Sequence, residues 1–212
     1  MNRLTSVKII CYYITTVNQV MIGSRFLILI LLFGQPSWAL LAFEGSCPSN
    51  MTAIADLDMD RLLGRWYTYS MYPNLSHKVP ICQSVDFVKI DDTIAVRSTQ
   101  LNSNTGTLKI SIDQIKHAEP ALGKYEMVGG DNKAFPDGIT MYVLDTDYEN
   151  FIIRYLCFDS NNIINFQWAV IQTRHRLPSS NTIFKAQALA RDSGILISKM
   201  VKVRQDACPP DT

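Results

Sequence analysis

At 212 residues the chain has room for one domain and an N-terminal extension. A formal charge of +1, with 18% charged and 47% hydrophobic residues, is ordinary for a globular protein. No basic stripe, repeat or low-complexity run is present, which excludes nucleic acid as a partner and a fibrous or disordered chain.

The first 39 residues differ from the rest. They carry Arg3, Lys8 and Arg25 and no acidic residue, and Phe26 to Phe33 is an unbroken apolar run. A positive flank, a short apolar core and the small-residue site Ser37-Trp38-Ala39 predict a secretory signal peptide over residues 1–39, cleaved after Ala39. The run is short for a bilayer span. The stretch before Met21 is long for a signal peptide, so translation from Met21 is an alternative start. Cleavage leaves residues 40–212 as one domain and turns the net charge from +1 to −2.

Secretion agrees with the cysteines. Of Cys11, Cys47, Cys82, Cys157 and Cys208, cleavage removes the first and leaves an even four. Two disulfides are expected, and spacing alone allows three connectivities. The sequons at Asn50 and Asn74 predict N-glycosylation of an extracellular protein.

In chain order, Leu40 to Asn50 reads as an extended arm tethered at Cys47, and Asp56 to Leu63 as one or two helical turns ending at Gly64. Arg65 to Tyr72 alternates with period 2 and is rich in aromatics, which predicts a strand with Trp66 facing inward. A loop between Pro73 and Pro80 follows. Further alternating runs are 82–90, 94–101, 107–115, 124–128, 139–145, 150–158 and 163–171, separated by turn residues such as Asp91-Asp92 and Ser160-Asn161-Asn162. Eight strands with hairpin-length connections predict an antiparallel sandwich or an up-and-down barrel. Pro178-Ser179-Ser180 then opens a helix with Ile183, Ala186 and Ala190 at helical spacing and Gly194 as its stop. Ile195 to Val203 returns to a short strand. A single late helix after eight sequential strands favours the all-β, eight-stranded up-and-down barrel, with the helix against its side.

Three motifs in this order resemble the lipocalin family, and within it the branch of apolipoprotein D and the insect bilin-binding proteins. They are Gly64-Arg65-Trp66-Tyr67 at the opening strand, Thr146-Asp147-Tyr148 in the turn between the sixth and seventh strands, and Thr173-Arg174-His175-Arg176-Leu177-Pro178 after the eighth. The resemblance spans about Cys47 to Pro209 and implies a calyx-shaped barrel that carries a small hydrophobic molecule. It also implies the disulfides Cys47–Cys157 and Cys82–Cys208. The family's arginine over the inward tryptophan is expected four residues before Leu177, where Thr173 stands. Arg174 is therefore expected on Trp66, with Arg176 as the alternative.

With Trp66 inward, alternation points Thr68, Ser70 and Tyr72 inward as well. With Cys157 outward, Ile152, Arg154 and Leu156 face the interior, and Trp168 brings Ile164, Phe166 and Val170 with it. These residues predict a pocket of aromatic and aliphatic groups with a few polar ones, in which Arg154 can meet a carboxylate or turn toward the rim. The apolar loop residues Met71, Tyr72, Pro73, Leu75, Val79 and Ile81 form a candidate lid, or a contact patch for a lipoprotein, membrane or second subunit. A monomer or weak oligomer is expected.

Catalysis finds little support. Gly-x-Ser-x-Gly, His-Glu-x-x-His and phosphate-binding glycine loops are absent, His77, His117 and His175 are scattered, and no metal or cofactor is expected. An isomerase reading requires a free thiol at Cys82 or Cys157. Fatty acid, sterol, retinoid and pigment all suit such a pocket, haem less so for want of an inward histidine. The alternative to a carrier is an extracellular interaction protein that acts through its loops with little or no ligand.

Overall fold

Period-2 runs pair as antiparallel strands throughout the computed structural model, which describes residues 41–49, 51–73, 80–102, 105–129, 138–206 and 208–210. The signal segment and the sequons at Asn50 and Asn74 lie outside these residues. The strands are β1 (Leu41–Glu44), β2 (Gly64–Met71), β3 (Ile81–Ile90), β4 (Thr93–Leu101), β5 (Leu108–Glu119), β6 (Lys124–Gly129), β7 (Ile139–Thr146), β8 (Phe151–Ser160), β9 (Ile164–Thr173) and β10 (Val201–Lys202). Neighbours in sequence pair from β2 to β9, and β9 returns to pair with β2, which closes an eight-stranded barrel. The seam is shared: Ile164 to Gln167 of β9 pair with β1, and Val170 to Thr173 pair with β2. Closure leaves the eight strands without the unpaired backbone that an open sheet exposes.

Helix α1 (Ser180–Asp192) begins where the Ser179 hydroxyl accepts the Thr182 N–H at 3.1 Å, the expected N-cap bond. Ile183, Ala186 and Ala190 form its buried stripe, while Phe184, beside them in sequence, is 75% exposed. Ala186 and Ala190 of this stripe pack on the barrel's outer wall with Leu144, Phe151, Ile153, Tyr155, Ala169 and Ile171. Two small alanines let the helix approach the sheet closely, so α1 acts as a side buttress.

The chain departs from its sequence pattern at two places outside the barrel. The segment 56–63 contracts to a single 3-10 turn, Asp60–Leu62. The strand expected over 195–203 keeps only β10, because Ile197–Lys199 form another 3-10 turn. Two disulfides hold the ends: Cys47–Cys157 joins the N-terminal arm to β8, and Cys82–Cys208 joins the C-terminal tail to β3. With both thiols bonded, the free cysteine needed for an isomerase is not available.

Candidate ligand-binding site

The barrel has two faces along every strand, and its inner face is zoned along the axis. At one end the chain enters β2 through Gly64, whose φ of +93° is open to glycine. An added Cβ there would stand 3.2 Å from Arg174 Nη1. This places Trp66 inward and fully buried, with its indole N–H donating to the Leu62 carbonyl at 2.8 Å.

Arg174 lies over the Trp66 ring with its guanidinium carbon 3.7 Å from the centroid. It donates to the carbonyls of Leu63 (2.8 Å), Arg61 (2.9 Å), Tyr148 (3.0 Å) and Arg65 (3.3 Å). Burial draws its pKa below the ordinary arginine value. Arg176, the alternative, sits instead over Tyr67 at 4.8 Å. One planar fork thus joins the 3-10 turn, the start of β2 and the β7–β8 turn.

That turn is built from the Thr-Asp-Tyr motif. The Thr146 hydroxyl donates to the Phe151 carbonyl (2.7 Å) and accepts the Tyr148 N–H (2.9 Å). One Asp147 carboxylate oxygen accepts the backbone N–H groups of Asn150 (2.7 Å), Phe151 (3.1 Å) and Glu149 (3.2 Å). Burial alone would raise the Asp147 pKa, but the hydrogen bonds from Asn150 and Phe151, with Lys185 nearby, hold it below the usual carboxylate range. Tyr148 takes a positive φ of 65° and its hydroxyl accepts the Asp58 N–H. The three motif segments close one end of the barrel together.

Above this floor, Ile152, Arg154 and Leu156 of β8 point inward, as do Trp168 and Val170 of β9. Phe166 stacks on Phe158 with centroids 5.2 Å apart, at the end formed by the β8–β9 hairpin. Thr68 also faces inward, accepting Gln172 Nε2 at 3.1 Å.

Ser70 and Tyr72 do not. The β2–β9 register shifts between Thr68 and Ser70, so Tyr69 is an extra residue and the alternation inverts. Met71 therefore turns into the core, while the Ser70 hydroxyl faces Met200 and Tyr72 packs under α1. The Tyr72 hydroxyl accepts the Leu196 N–H at 2.9 Å, and burial raises its pKa. The bulge also removes part of the predicted loop patch. Met71 and Tyr72 are 2% and 1% exposed, Ile81 is paired within β3, and Leu75 and Val79 lie outside the described residues.

Arg154 is the most unusual inward residue. It is 2% exposed and does not reach the rim. Its Nε donates to Gln172 Oε1 at 3.0 Å and Nη1 to the Tyr125 hydroxyl at 3.1 Å. The guanidinium carbon lies 5.4 Å from the Trp168 ring centroid and 5.5 Å from that of Phe87. Sequence reasoning missed three of these neighbours. Gln172 follows from extending the Trp168–Val170 alternation by one more step, and Tyr125 and Phe87 stand at the apolar positions of Lys124-Tyr125-Glu126-Met127 and Val85-Asp86-Phe87, but their convergence on Arg154 follows only from barrel closure.

Exposure changes along the axis. Trp66, Leu62 and Ile152, at the floor, are fully buried. Toward the β8–β9 hairpin, Phe158, Phe166, Ser98 and Ser111 share the inward register but stay partly exposed. Inward side chains are thus fully buried at one end of the barrel and partly exposed at the other.

A closed antiparallel barrel, floored by a tryptophan under an arginine and less covered at its opposite end, defines a calyx. The chain belongs to the lipocalin family: the model described as lipocalin / cytosolic fatty-acid binding protein matches residues 63–207. It is similar to apolipoprotein D of Mus musculus, 28% identical over 170 residues, and of Macaca fascicularis, 25% over 167 residues. Each match covers 78% of this chain and 85% of the relative. Among solved structures, insecticyanin from the tobacco hornworm Manduca sexta superposes with a TM-score of 0.66 at 18% identity. That match covers 77% of this chain and 88% of insecticyanin.

Proposed function

We propose that this protein is a secreted, non-catalytic carrier that holds one small hydrophobic molecule inside the barrel. The observation that carries the reading is the axial change in exposure: inward aromatic groups at the accessible end are left incompletely covered, while the floor is packed. Phe158 and Phe166 offer apolar surface whose burial by a guest is favourable by about 25 cal/mol per Å² before ordering costs. Eight strands suit one small ligand. The matched family's description and the similarity to apolipoprotein D support the same reading. Secretion rests on the signal-like first 39 residues together with two disulfides, which persist in oxidising compartments.

The test is mass spectrometry of the protein recovered from culture medium, intact and after solvent extraction. A mature chain beginning near Leu40 that releases a lipophile in near-stoichiometric amount is the expected result. An empty protein whose tryptophan fluorescence does not respond to a panel of lipophiles would overturn it in favour of an interaction protein.

A further inference from the structure

We propose that Arg154 and Tyr125 form a carboxylate anchor inside the barrel, so that the ligand is an apolar molecule bearing a carboxylate and bound acid end inward. This rests on the carrier reading above and narrows it to a chemical class.

The argument begins with a charge. A guanidinium keeps its proton in a protein interior, and burying an ion without a counter-charge is costly. Arg154 has no acidic partner among the described residues. Of the two buried aspartates, Asp86 pairs with Arg65 and Arg97, and Asp113, on β5, forms no ion pair with Arg154. The groups around Arg154 are a glutamine oxygen, a phenol oxygen and two aromatic faces, all neutral.

The hydrogen-bond inventory is also incomplete on one side. Arg154 uses Nε and Nη1, and Nη2 donates to no described protein group. Tyr125 accepts from Nη1, which leaves its own O–H without an acceptor among the described residues. The Gln172 amide is oriented, because its Nε2 donates to Thr68 and its oxygen must then face Arg154. The constellation therefore presents a positive charge and two groups that donate nothing, Nη2 and the Tyr125 O–H, beside the second N–H of Nη1, on adjacent nearly fully buried side chains. A carboxylate supplies the two acceptor oxygens and the one negative charge that this set lacks.

Position sets the orientation. Arg154 stands on β8 between Ile152, on the packed floor side, and Leu156 and Phe158, toward the accessible end. A carboxylate that reaches it leaves the apolar body beside Trp168, Phe158 and Phe166. Fatty acids and pigments with propionate arms share this chemistry; sterols and retinol do not.

The experiment titrates the full-length mature protein with decanoic acid, methyl decanoate and 1-decanol, read by tryptophan fluorescence and calorimetry. The acid is expected to bind about tenfold or more tighter than either neutral analogue. In Arg154→Met the acid-to-ester ratio should fall to about one, and in Tyr125→Phe to an intermediate value. Equal binding of acid and neutral analogues by the wild type overturns the anchor and leaves the carrier reading standing. A preference for acid that survives in Arg154→Met, or that is undiminished in Tyr125→Phe if the first variant does not fold, overturns the assignment to this pair. Binding of none of the three overturns the carrier reading and the anchor with it.

Discussion

Replacing Arg174 with alanine tests whether the barrel floor is held by one side chain. The guanidinium makes four hydrogen bonds to carbonyls of three separate segments and covers the Trp66 ring at 3.7 Å. A desolvated cation–π contact contributes about 1–2 kcal/mol. Hydrogen bonds to a charged donor contribute about 1.5–3 kcal/mol each when buried. Water can replace the donor at the more exposed carbonyls, so the equivalent of one such bond is a fair count. The sum is a loss of about 2.5–5 kcal/mol, a large share of the 5–15 kcal/mol that typically holds a domain together. Arg174→Lys keeps the charge but loses the planar fork, and should recover about 1 kcal/mol. Urea unfolding followed by far-UV circular dichroism and tryptophan emission reads both, with an unchanged m-value marking a true stability change. A loss below about 1 kcal/mol in Arg174→Ala, with Trp66 still shielded from an aqueous quencher, would refute the clamp.

Three further outcomes follow from neighbouring geometry. Gly64→Ala combines a φ of +93° with a Cβ 3.2 Å from Arg174 Nη1, and should cost about 1–2 kcal/mol in the same unfolding assay; a neutral result would mean that the entry to β2 relaxes freely. Removing the Cys82–Cys208 bridge by double serine substitution opens a separation of 126 residues, for which the chain-entropy model expects a loss of about 4–5 kcal/mol; a loss below about 1 kcal/mol would show that the tail is held by other contacts. The Asp147 carboxyl has a lowered folded pKa, so its contribution is complete above about pH 4, the ordinary aspartate value, and is lost as pH falls through the folded value. Melting curves of wild type and Asp147→Asn should differ near neutral pH and converge in acid, and a constant offset at all pH values would contradict this sign.

How much of the site was legible can be judged residue by residue. On β8, strict alternation placed Ile152, Arg154 and Leu156 inward because nothing interrupts the β8–β9 register from Phe151 to Ser160. On β2 the same rule placed Thr68 correctly and then misplaced Ser70 and Tyr72. Aromatics stand at Tyr67, Tyr69 and Tyr72, on both sides of any assumed face, so the side-chain pattern carries no mark of the extra residue. The bulge is a property of the pairing: the Tyr69 carbonyl accepts the Val203 N–H from the returning tail. That partner is more than a hundred residues away in sequence, beyond the reach of local alternation.

The sequence by itself determined the class of fold. Eight alternating runs, hairpin-length turns, one capped helix and an even count of cysteines leave few ways to bury apolar faces, and three short motifs name the end of the barrel that closes. Tertiary structure alone decided what the interior offers a guest. Whether Arg154 reaches the rim or stays within depends on which side chains arrive from β3, β6 and β9 to meet it. Those contacts join positions far apart in the chain, set by barrel closure and one bulge, and local periodicity holds no record of either.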